Sequence, residues 1–340
     1  MTNIINNRKL EHIDIICEDP DINRQGNFFD NWQLMHRALP EIALEDVDPS
    51  VTFLGKKLSF PLLISSMTGG DHELLKKINR NLAIAAEKTG VAMAVGSQRI
   101  MFSSPEAINS FDLRQYAPHT VLLANLGAVQ LNYGFGIKEA LEAVQILEAD
   151  GLFLHLNPLQ EAIQPEGNTN FSNLGEKIAT LAKEMNVPIL LKEVGCGMSP
   201  ADIELGLEAG IRYFDVAGHG GTSWSRIEQY RNLQSNLGLL FQDWGISTPL
   251  ALEMARPYLS RAQLIASGGL RNGLDIVKSI IMGASMGGFA AIFLQPAMTS
   301  IDTVISIIER LKEEFITSMF LLGAKRFEDL HLKNELLRHK

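Results

Sequence analysis

GLFLHLN (Gly151–Asn157), LGEKIATLAKEM (Leu174–Met185) and VPILLKEVG (Val187–Gly195) follow one another along the chain. The first and third are short apolar runs closed by Asn or Gly, and the second is an amphipathic helical pattern. Such a unit makes two parallel strands joined by a covering helix. It repeats in both directions. Further apolar runs stand at Leu58–Met67, Ala92–Ser97, Thr120–Leu126, Tyr213–Gly218, Leu264–Gly269 and Met286–Phe293, eight in all. Their brevity and apolar content are those of buried parallel strands. Helical patterns separate them at Glu73–Lys88, Ile137–Ala149 and Asn272–Met282, and Ser199-Pro200 reads as a helix cap followed by proline in the first helical position. Eight β–α repeats over about 240 residues predict an α/β protein with a closed (β/α)8 TIM barrel. A doubly wound sheet is the alternative.

The 340 residues read as a single domain: an irregular N-terminal arm over 1–57, the barrel over about 58–294, and C-terminal helices over 295–340. The uncharged stretch Ser279–Ile301 is long enough to span a bilayer. Gly283, Gly287, Gly288 and Pro296 interrupt it, and a buried barrel strand is the better reading. The net charge of −9 disfavours binding to nucleic acid or to an anionic membrane. Cys17 and Cys196 are too few for a disulfide framework, and the start lacks a signal-peptide core. A reducing, cytoplasmic setting is expected.

In a barrel of this kind the chemistry sits at the C-terminal ends of the strands. Polar residues gather there. Lys192 ends an otherwise apolar run and needs an anionic partner, which a ligand oxygen, a flavin ring carbonyl or a barrel carboxylate would supply. His155 and Asn157 lie two apart on one strand, so they share a face, and Gln160 and Glu161 follow. A single carboxylate such as Glu161 suffices for Mg²⁺ when water and substrate phosphates complete the shell. Gly268 and Gly269 at the end of the seventh strand, with Ala290 and Ala291 at the end of the eighth, mark the usual phosphate site of such barrels. Arg99 is a well-placed anion partner. Arg8, Lys9 and His12 offer three cations within five residues of the arm. Cys196, on a Gly-Cys-Gly turn, has no adjoining His that would make it a nucleophile.

These segments resemble the FMN-dependent, type 2 isopentenyl-diphosphate isomerases. The matching stretches are Arg8-Lys9-x-Glu11-His12, Met67-Thr68-Gly69-Gly70, Gly96-Ser97-Gln98-Arg99, Asn125-Leu126-Gly127, the specific run His155 to Glu161, Lys192 to Gly195, Gly220 to Trp224 and Ser267 to Arg271. The resemblance implies FMN on the barrel mouth, held by Ser66, Met67, Thr68, Ser97, Asn125, Lys192 and Thr222. Gly268, Gly269, Arg271, Ala290 and Ala291 would surround its phosphate. It implies a prenyl diphosphate bound by Arg8, Lys9, His12, Ser97, Gln98, Arg99, His155, Asn157 and Gln160. Gln160, His155 and Asn157 would serve catalysis and Glu161 would bind Mg²⁺. NADPH would reduce the flavin, and the chain would form a homotetramer or larger. The strand-8 run Gly287 to Ile292 departs from the family's usual pattern, as does Ser65-Ser66 in strand 1. A 2-hydroxy-acid oxidase would need a base His near Arg271, where none stands. An inosine-monophosphate-dehydrogenase-like enzyme would need its Cys one strand later than Cys196. A nonenzymatic phosphate-binding barrel would have no use for Gln160 and Glu161.

Overall fold

The computed structural model describes residues 2–24, 26 and 28–340, with side chains of the first helix described from Arg8 onward. Eight short strands close into a barrel. They are β1 (Leu62–Ile64), β2 (Ala92–Ala94), β3 (Leu122–Gly127), β4 (Gly151–Leu156), β5 (Ile189–Glu193), β6 (Tyr213–Asp215), β7 (Gln263–Ser267) and β8 (Ala284–Phe289). Each pairs in parallel with its neighbours in sequence, and β8 closes on β1 through Gly287↔Leu62 and Gly288↔Leu63.

The two-residue period of a strand sets the barrel's contents. One inward layer is apolar: Leu63, Leu123, Phe153, Leu190, Ile265 and Met286 form one buried cluster. Phe53 and Leu58, from the hairpin Val51–Phe53 and Lys56–Leu58, join that cluster. Two residues further along each strand the same face carries Ser65, Asn125, His155, Lys192, Asp215, Ser267 and Gly288. The register pairs His155↔Lys192, Lys192↔Asp215 and Ser267↔Gly288 directly, while the stagger of the barrel sets Asn125 opposite Phe153 and Asp215 opposite Ile265. The alternate residues Leu154, Leu191 and Phe214 face out into the larger core beneath the helices. Burying side chains of this size yields about 1.5–3 kcal/mol each, which fixes the register and with it the polar layer.

The helices begin and end where local chemistry directs. Ser199 and Asp202 form a capping box at Pro200–Glu208, Asn272 caps Gly273–Ile281, and Gly90 ends Glu73–Thr89 in the left-handed conformation.

Several boundaries differ from the sequence reading. The arm expected to be irregular holds a 17-residue helix, Thr2–Glu18. The second apolar run reaches Ser97, but the strand stops at Ala94. Gly96 there lies so near Thr68 that a Cβ would sit 2.5 Å from its carbonyl oxygen. The eighth strand starts at Ala284 and ends at Phe289, after which Ala291–Thr299 is helical. The tail's long α-helix ends at Leu322, two short 3-10 turns follow at Phe327–Asp329 and Asn334–Leu336, and its end, Leu337–His339, pairs antiparallel with Trp32–Leu34. No helix among the described residues is long and apolar enough to cross a membrane.

Candidate active site

The polar layer opens into a cavity of about 520 Å³ at the C-terminal ends of the strands, within the range of about 300–1,000 Å³ usual for small-molecule sites. Every site residue singled out in the sequence lines it except Gln98. Gln98 is fully buried and faces the protein: its Nε2 donates to the Ala143 carbonyl at 2.9 Å, and its Oε1 accepts from the Asn125 N–H at 3.0 Å. It braces β3 and does not meet the cavity.

One wall is built from side chains. His155 Nδ1 lies 2.8 Å from Asn125 Oδ1, whose amide Nδ2 donates to Ser66 Oγ at 2.8 Å. That orientation makes Nδ1 the protonated nitrogen of a neutral ring. Burial, reinforced by the cations Lys192, Lys9, Arg8 and Arg99, drives the His155 pKa down to about 4. Asn157, at the end of β4, starts the short helix Pro158–Ile163 and sends its Nδ2 to Gln160 Oε1 and Glu161 Oε1, both at 3.1 Å. Gln160 in turn donates from Nε2 to Glu228 Oε1 at 2.9 Å. Its amide is therefore held at both ends. Glu228 also meets His12 Nε2 at 3.1 Å and Arg231 at 2.7 Å. Burial opposes its charge, but the bonds from His12, Gln160 and Arg231 outweigh that and hold its carboxyl at about 2.

The N-terminal helix supplies the roof. Lys9 Nζ reaches the carbonyls of Gly69 and of Ser97, the latter at 3.0 Å. Burial, then the neighbouring Arg8, lowers its pKa to about 7. Arg8 pairs with Glu166 at 3.3 Å, and Arg99 donates to Asn168 Oδ1 at 3.0 Å. Arg231 fastens the helix by bridging Glu11 and Glu166 at 3.1 and 2.8 Å.

The opposite wall is backbone and glycine. Gly268 and Gly269 have φ of +89° and +83°, and a Cβ on Gly268 would stand 2.0 Å from the Gly218 carbonyl oxygen. Only glycine fits there. Arg271 donates to the carbonyls of Arg24 and Gly220 at 2.6 and 2.8 Å. Ala290 and Ala291 lie where β8 gives way to the N-terminus of its helix, an arrangement suited to a phosphate. Lys192 pairs with Asp215 at 2.8 Å, so the barrel carboxylate is its protein partner.

Among the described residues, the buried cavity-lining atoms Ser65 Oγ, Thr68 Oγ1 and Asn157 Oδ1 have no hydrogen-bond partner. Buried polar atoms of this kind call for ligand or water. With the glycine cradle and the cation Lys192, they make a cavity suited to a planar polar ring that carries a phosphate. Among the described residues Glu161 accepts hydrogen bonds from the neutral donors Asn157, Gln164 and Asn168, with the charge of Arg99 nearby, and its carboxylate suits a hard cation shared with a phosphate. No group of three or more His, Cys, Asp or Glu suited to a metal occurs among the described residues.

Sequence reasoning missed Asp215, Glu228 and Arg231. Asp215 was within reach: it occupies the inward position of its run just as Lys192 does. Glu228 and Arg231 come from the helix Trp224–Arg231, and nothing in their own neighbourhood points to β4.

Fold and cavity together define a TIM-barrel protein with a polar, phosphate-suited cavity at its strand ends. A family model described as FMN-dependent dehydrogenase matches residues 6–117 and 154–338, and the chain belongs to that family. An active mutant of (S)-mandelate dehydrogenase shares the fold with a TM-score of 0.71 at 17% identity, covering 99% of each chain. A flavocytochrome b2 mutant does so at 0.69 and 17%, covering 97% of this chain and 83% of that one.

Sequence relatives are more specific. The isopentenyl-diphosphate delta-isomerase of Hydrogenovibrio crunogenus is 58% identical over 98% of both chains. That of Paracoccus zeaxanthinifaciens is 57% identical over 97% of both, and that of a Nostoc species is 45% identical over 97% of this chain and 95% of its own. The chain belongs to the isopentenyl-diphosphate delta-isomerase family.

Proposed function

We propose that this protein interconverts isopentenyl diphosphate and dimethylallyl diphosphate, with FMN in the cavity, Mg²⁺ on Glu161 and NADPH serving only to reduce the flavin. The observation that carries this reading is the Asn157–Gln160–Glu228 chain on the side-chain wall, beside the Glu161 carboxylate, whose hydrogen-bond donors are neutral.

The reaction adds a proton at the terminal methylene and removes one from the carbon on the far side of the branch, so no electrons are gained or lost. Reduced FMN, when bound, supplies an electron-rich face and an exchangeable proton. Ser66, Met67, Thr68, Ser97, Asn125, Lys192 and Thr222 would hold its ring and chain, and Gly268, Gly269, Arg271, Ala290 and Ala291 its phosphate. Arg8, Lys9 and Arg99 would neutralise the substrate diphosphate, with His12, Ser97, His155 and Asn157 beside them. Glu161 would hold Mg²⁺, which would add to the charge neutralisation of the diphosphate.

Positive charge develops on the substrate carbons, and an added cation beside them would oppose it. His155, neutral above a pH of about 4, adds none. Gln160 is a poor acid. Anchored to Asn157 and to the anionic Glu228, it would position the reacting carbons and relay a proton along its amide. Gln98 supports this wall from behind without touching substrate.

The chain acts as one domain, in the cytoplasm, as a homo-oligomer of four or more copies. Both cysteines are free, which suits a reducing compartment. Binding of FMN by a 2-hydroxy-acid oxidase-like barrel would satisfy the glycine wall but leaves Gln160 and Glu161 without a task. The test is anaerobic incubation of purified protein with isopentenyl diphosphate, with FMN, Mg²⁺ and NADPH present or singly omitted. Dimethylallyl diphosphate should form only when flavin is reduced and metal is present. An FMN-loaded protein that forms none would remove the isomerase reading and leave the oxidase one.

A further inference from the structure

Asp215 ends β6 fully buried, behind the cavity wall, and the mechanism above gives it no task. Its Oδ2 accepts from Lys192 Nζ at 2.8 Å. Its Oδ1 accepts from Ser267 Oγ at 2.6 Å and from the Ala217 N–H at 3.2 Å. Ser267 Oγ also lies 3.3 Å from Lys192 Nζ, closing a triangle across three neighbouring strands. Lys192 and Ser267 line the cavity, whereas Asp215 does not. An ammonium has three donors. Two are directed to Asp215 and Ser267, and among the described residues the third has no protein partner, which leaves it for whatever fills the cavity.

A buried ion pair used for stability alone gains little over apolar packing. Its value here lies in what it does to the cavity wall. Without Asp215, the cavity would face a full positive charge. With it, the wall presents an aimed donor whose charge is largely offset.

We propose that Asp215 is a positioning residue. It aims the Lys192 ammonium and offsets its charge, and so sets how strongly the cavity favours reduced over oxidised flavin. This rests on the FMN reading above. The sign follows from electrostatics. Reduction adds electron density to the ring, so an uncompensated Lys192 favours the reduced form and an uncompensated Asp215 disfavours it.

The experiment is FMN titration of the apoprotein, followed by spectroelectrochemical determination of the bound-flavin midpoint potential. It uses wild type, Asp215→Asn, Lys192→Met and the double variant. Asp215→Asn should raise the potential, increasing the ratio of reduced to oxidised FMN affinity roughly tenfold, the scale of one charge-assisted hydrogen bond. Lys192→Met should lower it, and the double variant should fall between Lys192→Met and Asp215→Asn. An Asp215→Asn protein that binds FMN at the wild-type potential would overturn the proposal. If circular dichroism finds that variant unfolded, the double variant decides: a potential above that of Lys192→Met supports the role, and one equal to it refutes it. Wild-type apoprotein that takes up no FMN would overturn the flavin reading itself, before any variant is compared.

Discussion

The two walls of the cavity are made by opposite means. Around β7 and β8, glycines in left-handed conformation and backbone carbonyls shape the surface, and Arg271 is anchored to main-chain oxygens. Around β4, side chains make it: Asn157, Gln160, Glu161 and Glu228 are joined by hydrogen bonds, under a roof of Arg8 and Lys9. A backbone cradle recognises a phosphate with little regard to what else the ligand carries. A side-chain network is specific to one reaction.

If the walls divide the work in this way, damage to one should leave the other's task standing. The largest effect is expected on the side-chain wall. Gln160→Asn shortens the amide that spans Asn157 and Glu228, and turnover should fall by about 100-fold while FMN binding is retained. Steady-state kinetics beside a flavin titration would check this, and wild-type turnover would remove Gln160 from the centre of the reaction. On the glycine wall the converse is expected. Gly268→Ala forces a Cβ toward the Gly218 carbonyl at φ +89°, a strain of about 1–3 kcal/mol. FMN affinity should drop in step, by about tenfold or more, and unfolding by denaturant should report the same strain.

Two smaller effects sharpen the side-chain wall. Glu161→Gln should raise the Mg²⁺ needed for half-maximal activity by about tenfold, on the scale of a lost charge-assisted contact. An unchanged Mg²⁺ titration would exclude Glu161 as a ligand. The smallest effect concerns pH. Lys9 is held at about 7 by burial and by Arg8, so it is charged below that pH and neutral above it. A charged Lys9 attracts the diphosphate, and kcat/KM should therefore decline as pH rises through 7, by a few-fold. Glu193 is also held near 7, raised by burial against four backbone N–H bonds, so the origin of that limb needs a variant. Lys9→Met should abolish it. Its survival would assign the limb elsewhere. His155, at about 4, contributes none near neutrality.

The barrel was legible because each strand is a short apolar run and each helix an amphipathic one, and both signals are local. Strand ends were less so. The run from Ala92 stays apolar past the point where Gly96 meets Thr68, and a close approach between separate loops leaves no mark on hydropathy. The arm's helix, Thr2–Glu18, sets only a narrow apolar edge, Leu10, Ile13 and Ile16, on the core, while Lys9 and Glu11 turn to cavity loops and to Arg231, so its apolar signal is weak. Within the site, residues that line the cavity at their own strand ends were readable: His155, Asn157, Lys192 and the glycine pair Gly268 and Gly269. Those that act on a distant neighbour were not. Gln98 sits in a motif beside Arg99, yet its side chain turns back to Ala143. Glu228 stabilises Gln160 across 68 positions of sequence.

The central claim is that the site moves protons without net redox change, and isotope and reductant stoichiometry test it together. Turnover of isopentenyl diphosphate would be followed anaerobically in D₂O with FMN, Mg²⁺ and a limiting amount of NADPH. We expect many molecules of deuterium-labelled dimethylallyl diphosphate for each NADPH consumed, with none formed before the flavin is reduced. One NADPH consumed per product, or product free of solvent deuterium, would contradict it.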